Sequence, residues 1–178
     1  MENDLQAPES GEPKHFTQII SLIVGVLLII VGLSGILFPS FAGLHLSAPY
    51  STIIAFSGGL LVYTGYQNRS RDAFLCCFGF AIFYGLHALA GWVFGEPGVP
   101  RVGYDRPDPK WITIIPNLHE LGRNDHILNT ILSLVLMGGA IDWWRRHTQK
   151  GHRKEVLRSM GQDYKNRYKG RTDRPVHQ

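Results

Sequence analysis

Histidine changes its charge between pH 5 and 8 and serves as a metal or haem ligand, so its positions are the first place to look for chemistry. The 178-residue sequence has eight, and one of them, His87, stands inside a long apolar run. It precedes Phe94 by seven residues, which in a helix puts it roughly 10 Å below the end of that run. In a later run, His126, Asn129, Thr130 and Ser133 follow the spacing i, i+3, i+4, i+7 and make one polar stripe on a helix. Depth lets His87 face this stripe, with Tyr84 one turn away. In one reading His87 holds a haem or a chlorophyll-type ligand, or relays a proton. In the other it hydrogen-bonds to Asn129, Thr130 or Tyr84 and fixes helix packing. His126 is several ångströms too shallow to be the second axial ligand of a haem. A single histidine is a weak cofactor signal, so the structural reading is preferred and no cofactor is expected.

A second group is His119, Glu120, Asp125 and His126, with two imidazoles and two carboxylates inside eight residues. Such a set could hold a divalent metal, but its spacing matches no zinc motif. Helix capping and polarity near a surface account for it better, and that reading is preferred. His45 stands alone and reads as an interfacial residue. Cys76 and Cys77 are the only cysteines and are adjacent, which excludes a disulfide scaffold and a four-cysteine zinc site. They read as small buried thiols, with S-palmitoylation as the rival. The chain has no glycine-rich phosphate loop and no nucleophile paired with a base at usable spacing. It therefore reads as a non-enzymatic protein.

The elements that carry these residues are apolar blocks. Hydrophobic residues make up 44% of the chain and charged residues 18%, but the two are segregated. Four spans are expected, at about 16–38, 48–66, 73–94 and 125–144. The first has no formal charge, and at 1.5 Å per residue it covers about 34 Å, enough for a ~30 Å hydrocarbon core. Pro39 ends it. Acidic residues before it (Glu2, Asp4, Glu9, Glu12) argue against a cleaved signal peptide. Ser47 and Pro49 open the second span, Asp72 the third and Asn124 the fourth, with Asp125 in the first turn where the helix dipole favours an anion. The fold class is thus all-α: a polytopic integral membrane protein built as a four-helix transmembrane bundle. Residues 1–15 form an acidic segment, 95–124 a long outer connection and 145–178 a basic tail. The Pro- and Gly-rich first half of the connection should be irregular, and Trp111–Ile115 should lie at the interface or cap the bundle.

Counting Lys and Arg by side gives fourteen with the two termini and four opposite them. The positive-inside rule then places both termini in the cytoplasm. Tyr63, Tyr66, Trp92, Trp143 and Trp144 sit near span ends, as membrane-interface aromatics do. Small residues predict close helix contact: Gly25 with Gly32, Gly58 with Gly65, the strip Ala81, Gly85, Ala88, and Gly138-Gly139. No Asp, Glu, Lys or Arg lies near the middle of a span, which counts against a small transporter.

The tail from Arg145 carries a net charge of +8. Leu157, Met160, Tyr164 and Tyr168 recur at helical spacing, predicting a basic amphipathic helix over about 155–168 that Gly161 weakens. Its contacts with anionic headgroups or a protein partner fall to Arg145, Arg146, Arg153, Lys154, Arg158, Lys165, Arg167 and Lys169. Nucleic acid is not favoured, since no folded recognition module is present. In general appearance the chain resembles small four-helix bacterial inner-membrane proteins. That likeness implies an inner-membrane location and carries no functional residue across. The expected role is an accessory, assembly or scaffold subunit bound to other membrane proteins. The alternatives are an electron-transfer or pigment subunit using His87, or a small transporter.

Overall fold

The computed structural model describes residues 15–38, 43–67, 69–99, 107–115 and 119–172, with side chains beyond Gln149 described only at Ser159 and Gln162. The acidic segment before His15 lies outside the described residues, as do the side chains of Arg153, Lys154, Arg158, Lys165, Arg167 and Lys169.

Helix α1 covers Phe16–Leu37, α2 Ala48–Tyr66, α3 Ser70–Phe94 and α4 Arg123–Thr172. Among the described residues, three segments are long and apolar enough to cross a membrane: Phe16–Leu37, Ser70–Phe94 and Arg123–Gln149. The middle helix α2 falls short of that hydropathy because Ser51, Thr52, Ser57, Gly58, Gly59, Thr64 and Gly65 dilute it. The first helix is started by Gln18, whose Oε1 accepts the His15 backbone N–H at 2.9 Å, satisfying one of the free amides of a helix N-terminus. The third helix begins at Ser70, ahead of the expected Ala73, so Asp72 lies inside its first turn and faces Arg69 at 3.8 Å. That pair is exposed and adds little stability.

Small residues set the α1–α2 contact. A Cβ on Gly25 would stand 2.8 Å from the Gly58 carbonyl oxygen, and one on Gly58 would stand 2.6 Å from the Gly25 carbonyl oxygen. Gly32 lies against Ser51 and Ala55, and Gly65 against Gln18 and Leu22. The pairs run in opposite order along the two helices, so α2 lies antiparallel along α1 over most of its length. Ser21 Oγ donates to the Leu61 carbonyl at 2.7 Å, a cross-link that lipid cannot compete for.

The fourth helix closes the group. Thr17 Oγ1 donates to the Gly139 carbonyl at 2.8 Å, and Ser133 Oγ donates to the Ala81 carbonyl at 2.8 Å. Gly85 gives Ser133 its space, since a Cβ there would lie 2.8 Å from the serine oxygen. Trp143 stacks on Phe74 with centroids 4.3 Å apart. Leu28, Ile54, Leu61, Ala81 and Leu136 form the buried centre. The outward faces are apolar as well: Ile23, Leu27 and Ile30 on α1, Leu86 and Leu89 on α3, Ile131 and Leu134 on α4, and Ile53 and Phe56 on α2. Thr17, Gln18, Ser21, Ser51, Ser57, Thr64 and Asn129 are buried instead. Greasy groups outside and polar groups inside are what a bilayer solvent selects.

The outer connection corrects the all-helical expectation. Its described residues form a three-stranded antiparallel sheet of β1 (Glu96–Gly98), β2 (Asp108–Ile115) and β3 (His119–Leu121), in that order. Glu96 pairs with Trp111, and Ile112 pairs with Leu121. The Trp111–Ile115 run is strand β2. Its β-branched residues suit a strand, and Gly98 leaves room for the Trp111 side chain, 2.7 Å from where a Cβ would stand. Trp111 and Leu121 turn inward onto the helices and are buried.

The chain divides into two compact units, Met1–Trp143 and Trp144–Gln178. The second is helical through Thr172, with no break at Gly161. Within it, Arg145 and Arg146 are exposed.

Candidate functional site

The polar side chains of the bundle converge where the sheet meets the helix ends. The N-terminus of α4 organises them. Its first amides are free of intrahelical partners and need acceptors. Asp108 of β2 supplies one carboxylate, accepting the Arg123 N–H at 3.1 Å and the Lys110 N–H at 2.8 Å. Asp125, in the first turn, supplies the other. It folds back to the Gly122 N–H at 2.8 Å, as an acid at the third helical position does in a capping box, and accepts the His45 N–H at 3.1 Å. Gly122 must lack a side chain, because a Cβ there would lie 2.7 Å from Asp108 Oδ2. The expected cap, Asn124, donates its side-chain amide to the Gly43 carbonyl at 2.9 Å instead. Gly43 holds φ at 76°, in the left-handed region that glycine enters without strain.

The predicted polar stripe on α4 exists, and its partners differ from those expected. Asn129 Oδ1 accepts from the Tyr50 hydroxyl of α2 at 2.8 Å. Thr130 Oγ1 accepts from Trp92 Nε1 at 3.2 Å and donates to its own helix at the His126 carbonyl. The His126 ring lies against Gly91 of α3, where a Cβ would collide with it. Its Nε2–H donates to the Lys110 carbonyl of β2 at 3.0 Å. Lys110 Nζ reaches back to the Trp92 and Gly95 carbonyls at 3.3 and 3.2 Å, sealing the C-terminal end of α3. Thr130 and Ser133 are partly buried, while His126 and Asn129 are fully enclosed.

His87 does not bond to the stripe. Its Nδ1–H donates to the Phe83 carbonyl one turn back at 2.9 Å. The ring packs on Phe83, centroids 4.3 Å apart, and meets the edge of His119 at 5.3 Å. Tyr84 is buried in the core and lies beside Phe83 and Phe80. His119 also contacts Tyr50, with ring centroids 5.0 Å apart. Only 7% exposed, it has no hydrogen-bond partner at Nε2. Burial holds its pKa below the usual histidine value, and the neighbouring His87 pushes the same way.

His45, read from the sequence as a lone interfacial residue, is enclosed by the roof. It is 6% exposed and meets Trp111 edge to face, with centroids 4.7 Å apart. Burial lowers its pKa, while the charges of Glu120 and Asp108 pull it back up by less. His119, Glu120, Asp125 and His126 are all buried here, on different partners. Among the described residues no group of three or more His, Cys, Asp or Glu is placed to hold a metal ion. Cys77 is buried and Cys76 partly so. Tyr50 and Asp108 escaped the sequence reading, and His45 and Trp111 were read without the contact between them. An aspartate ahead of a β-branched run and a histidine between two apolar spans were the available signals, and both depended on knowing that the connection folds back. Comparison with protein-family models, with curated proteins and with solved structures finds no match for this chain.

Proposed function

We propose that the chain is a four-span integral membrane protein with both termini in the cytoplasm of a bacterial-type cell, working without catalysis as an accessory, assembly or scaffold subunit of a larger membrane complex. One observation carries this reading. The polar side chains at the roof tie α2, α3, α4 and the sheet to one another, while the outward faces of the helices stay apolar. Such a body offers other membrane helices a rigid surface, and its basic tail offers a cation-rich one to anionic headgroups or a protein partner. The α2 helix is counted as a span because it runs along α1 and turns Ile53 and Phe56 outward. The sidedness follows from fourteen Lys and Arg with the termini and four opposite.

Two experiments test it. Single cysteines at Thr113 and Gln149, in a background where Cys76 and Cys77 are serine, should label from opposite sides of the membrane. Labelling from the same side overturns the topology. Purification in a mild detergent should bring down a stoichiometric membrane partner, and a lone monomer overturns the subunit role. An absorption spectrum of the same sample separates this role from a pigment-bearing one: a Soret or near-infrared band that disappears in His87→Ala overturns it.

A further inference from the structure

Four of the eight histidines, His45, His87, His119 and His126, lie at the one junction between the sheet and the helices. Each touches an element other than its own. His45 meets β2 through Trp111, His126 meets β2 through the Lys110 carbonyl, and His119 of β3 meets both Tyr50 of α2 and His87 of α3. The His87–His119 contact is the one in which two titratable rings of the same kind face each other. His87 is fixed as the Nδ1–H form by the Phe83 carbonyl. His119 is buried with its Nε2 unpaired.

We propose that the His87–His119 contact is an acid-operated latch holding the sheet onto the bundle, closed while the His119 ring is neutral and released when it is protonated. Two neutral imidazoles pack edge to face favourably. A charged His119 at this depth lacks a counter-ion among the groups facing it, which are Tyr50 and His87. The other charged groups at the junction are committed elsewhere. Asp108 and Asp125 accept helix-end amides, Lys110 seals α3, and Glu120 acts on His45. The sign follows from linkage. The closed state disfavours the proton on His119, so its contribution is complete above the ordinary histidine value of 6.5 and is lost as pH falls below that value. The latch goes beyond the subunit role, and its test does not depend on it.

Amide hydrogen exchange of the full-length protein in lipid nanodiscs, at pH 7.5 and 5.0 and corrected for the intrinsic pH dependence of exchange, reads the latch directly. Opening of β3 and its β2 partners should rise about tenfold per pH unit once one extra proton is taken up on opening, with α1 and α2 unchanged. In His119→Gln that rise should vanish, and in His87→Gln it should shrink, since burial still disfavours the proton on His119. If His119→Gln fails to fold, His119→Phe, which keeps a ring against His87 and takes up no proton, decides instead. Equal opening of β3 at both pH values overturns the proposal, as does a rise that survives undiminished in the folded His119 variant.

Discussion

At the scale of single residues, the absence of a side chain does as much as its presence. Gly91 exists so that the His126 ring can lie on α3, and Gly91→Ala would drive a methyl into that ring. The variant should lose about 1–3 kcal/mol, the usual cost of overpacking, read as a lower thermal midpoint in detergent. Gly59→Ala and Gly138→Ala make the matching control. Nothing lies within 4 Å of a Cβ at either place, so both should be neutral or gain up to about 1 kcal/mol from helix propensity. Tyr50→Phe removes the hydroxyl that reaches Asn129 and leaves a buried amide oxygen without its donor. A loss of about 1 kcal/mol is expected, as for other hydrogen bonds between membrane helices. A Tyr50→Phe, Asn129→Leu double variant should recover part of it, since replacing both partners by apolar groups removes the unsatisfied atom.

Among the elements, α2 is the one whose place is decided by packing more than by composition. Its serines, threonines and glycines lower its hydropathy, and the same residues let it sit backbone to backbone with α1. Gly58→Leu should therefore disrupt the hairpin where Phe56→Leu, on the outward face, does not. Disulfide cross-linking between cysteines at Gly32 and Ala55 would report the difference. This is also where the sequence was most informative. The spacing of Gly25, Gly32, Gly58 and Gly65 foretold the face on which α1 and α2 meet, because glycine at helical spacing leaves few other uses. The polar stripe on α4 was legible in its helical spacing, though not in its partners. The sheet was not, because Pro and Gly around Glu96–Gly98 and ahead of Asp108 look like punctuation between helices. What makes the strands is their mutual pairing and the inward Trp111, neither of which is local. His87 was given the wrong neighbour, because the direction of its contact depended on β3 returning to α3, as His119 does.

Considered whole, the chain has two units of unlike character. Met1–Trp143 holds a roofed junction of histidines, carboxylates and helix ends, and Trp144–Gln178 carries a cationic helix. The stability of the first should depend on pH. Because burial depresses the pKa of His45 and His119, the part of the thermal midpoint these two rings contribute should be constant above pH 6.5 and be lost with acidification below it, read as the difference between the native chain and a His45→Gln, His119→Gln variant. A difference that grew on acidification would contradict the burial of both rings. The lateral faces should behave quite differently from the centre: Leu134→Ala on the outward face should stay within about 0.5 kcal/mol, whereas Leu136→Ala, fully buried, should cost about 2–5 kcal/mol.

The clamp between His45 and Asp125 joins positions eighty residues apart, and Tyr50 reaches Asn129 across nearly the same interval. During translation the first hairpin is finished long before its acceptors emerge from the ribosome. Until then Tyr50 and the His45 amide have no native mate. An elongating or truncated product lacking the final helix therefore displays unmatched donors in an otherwise finished pair of helices.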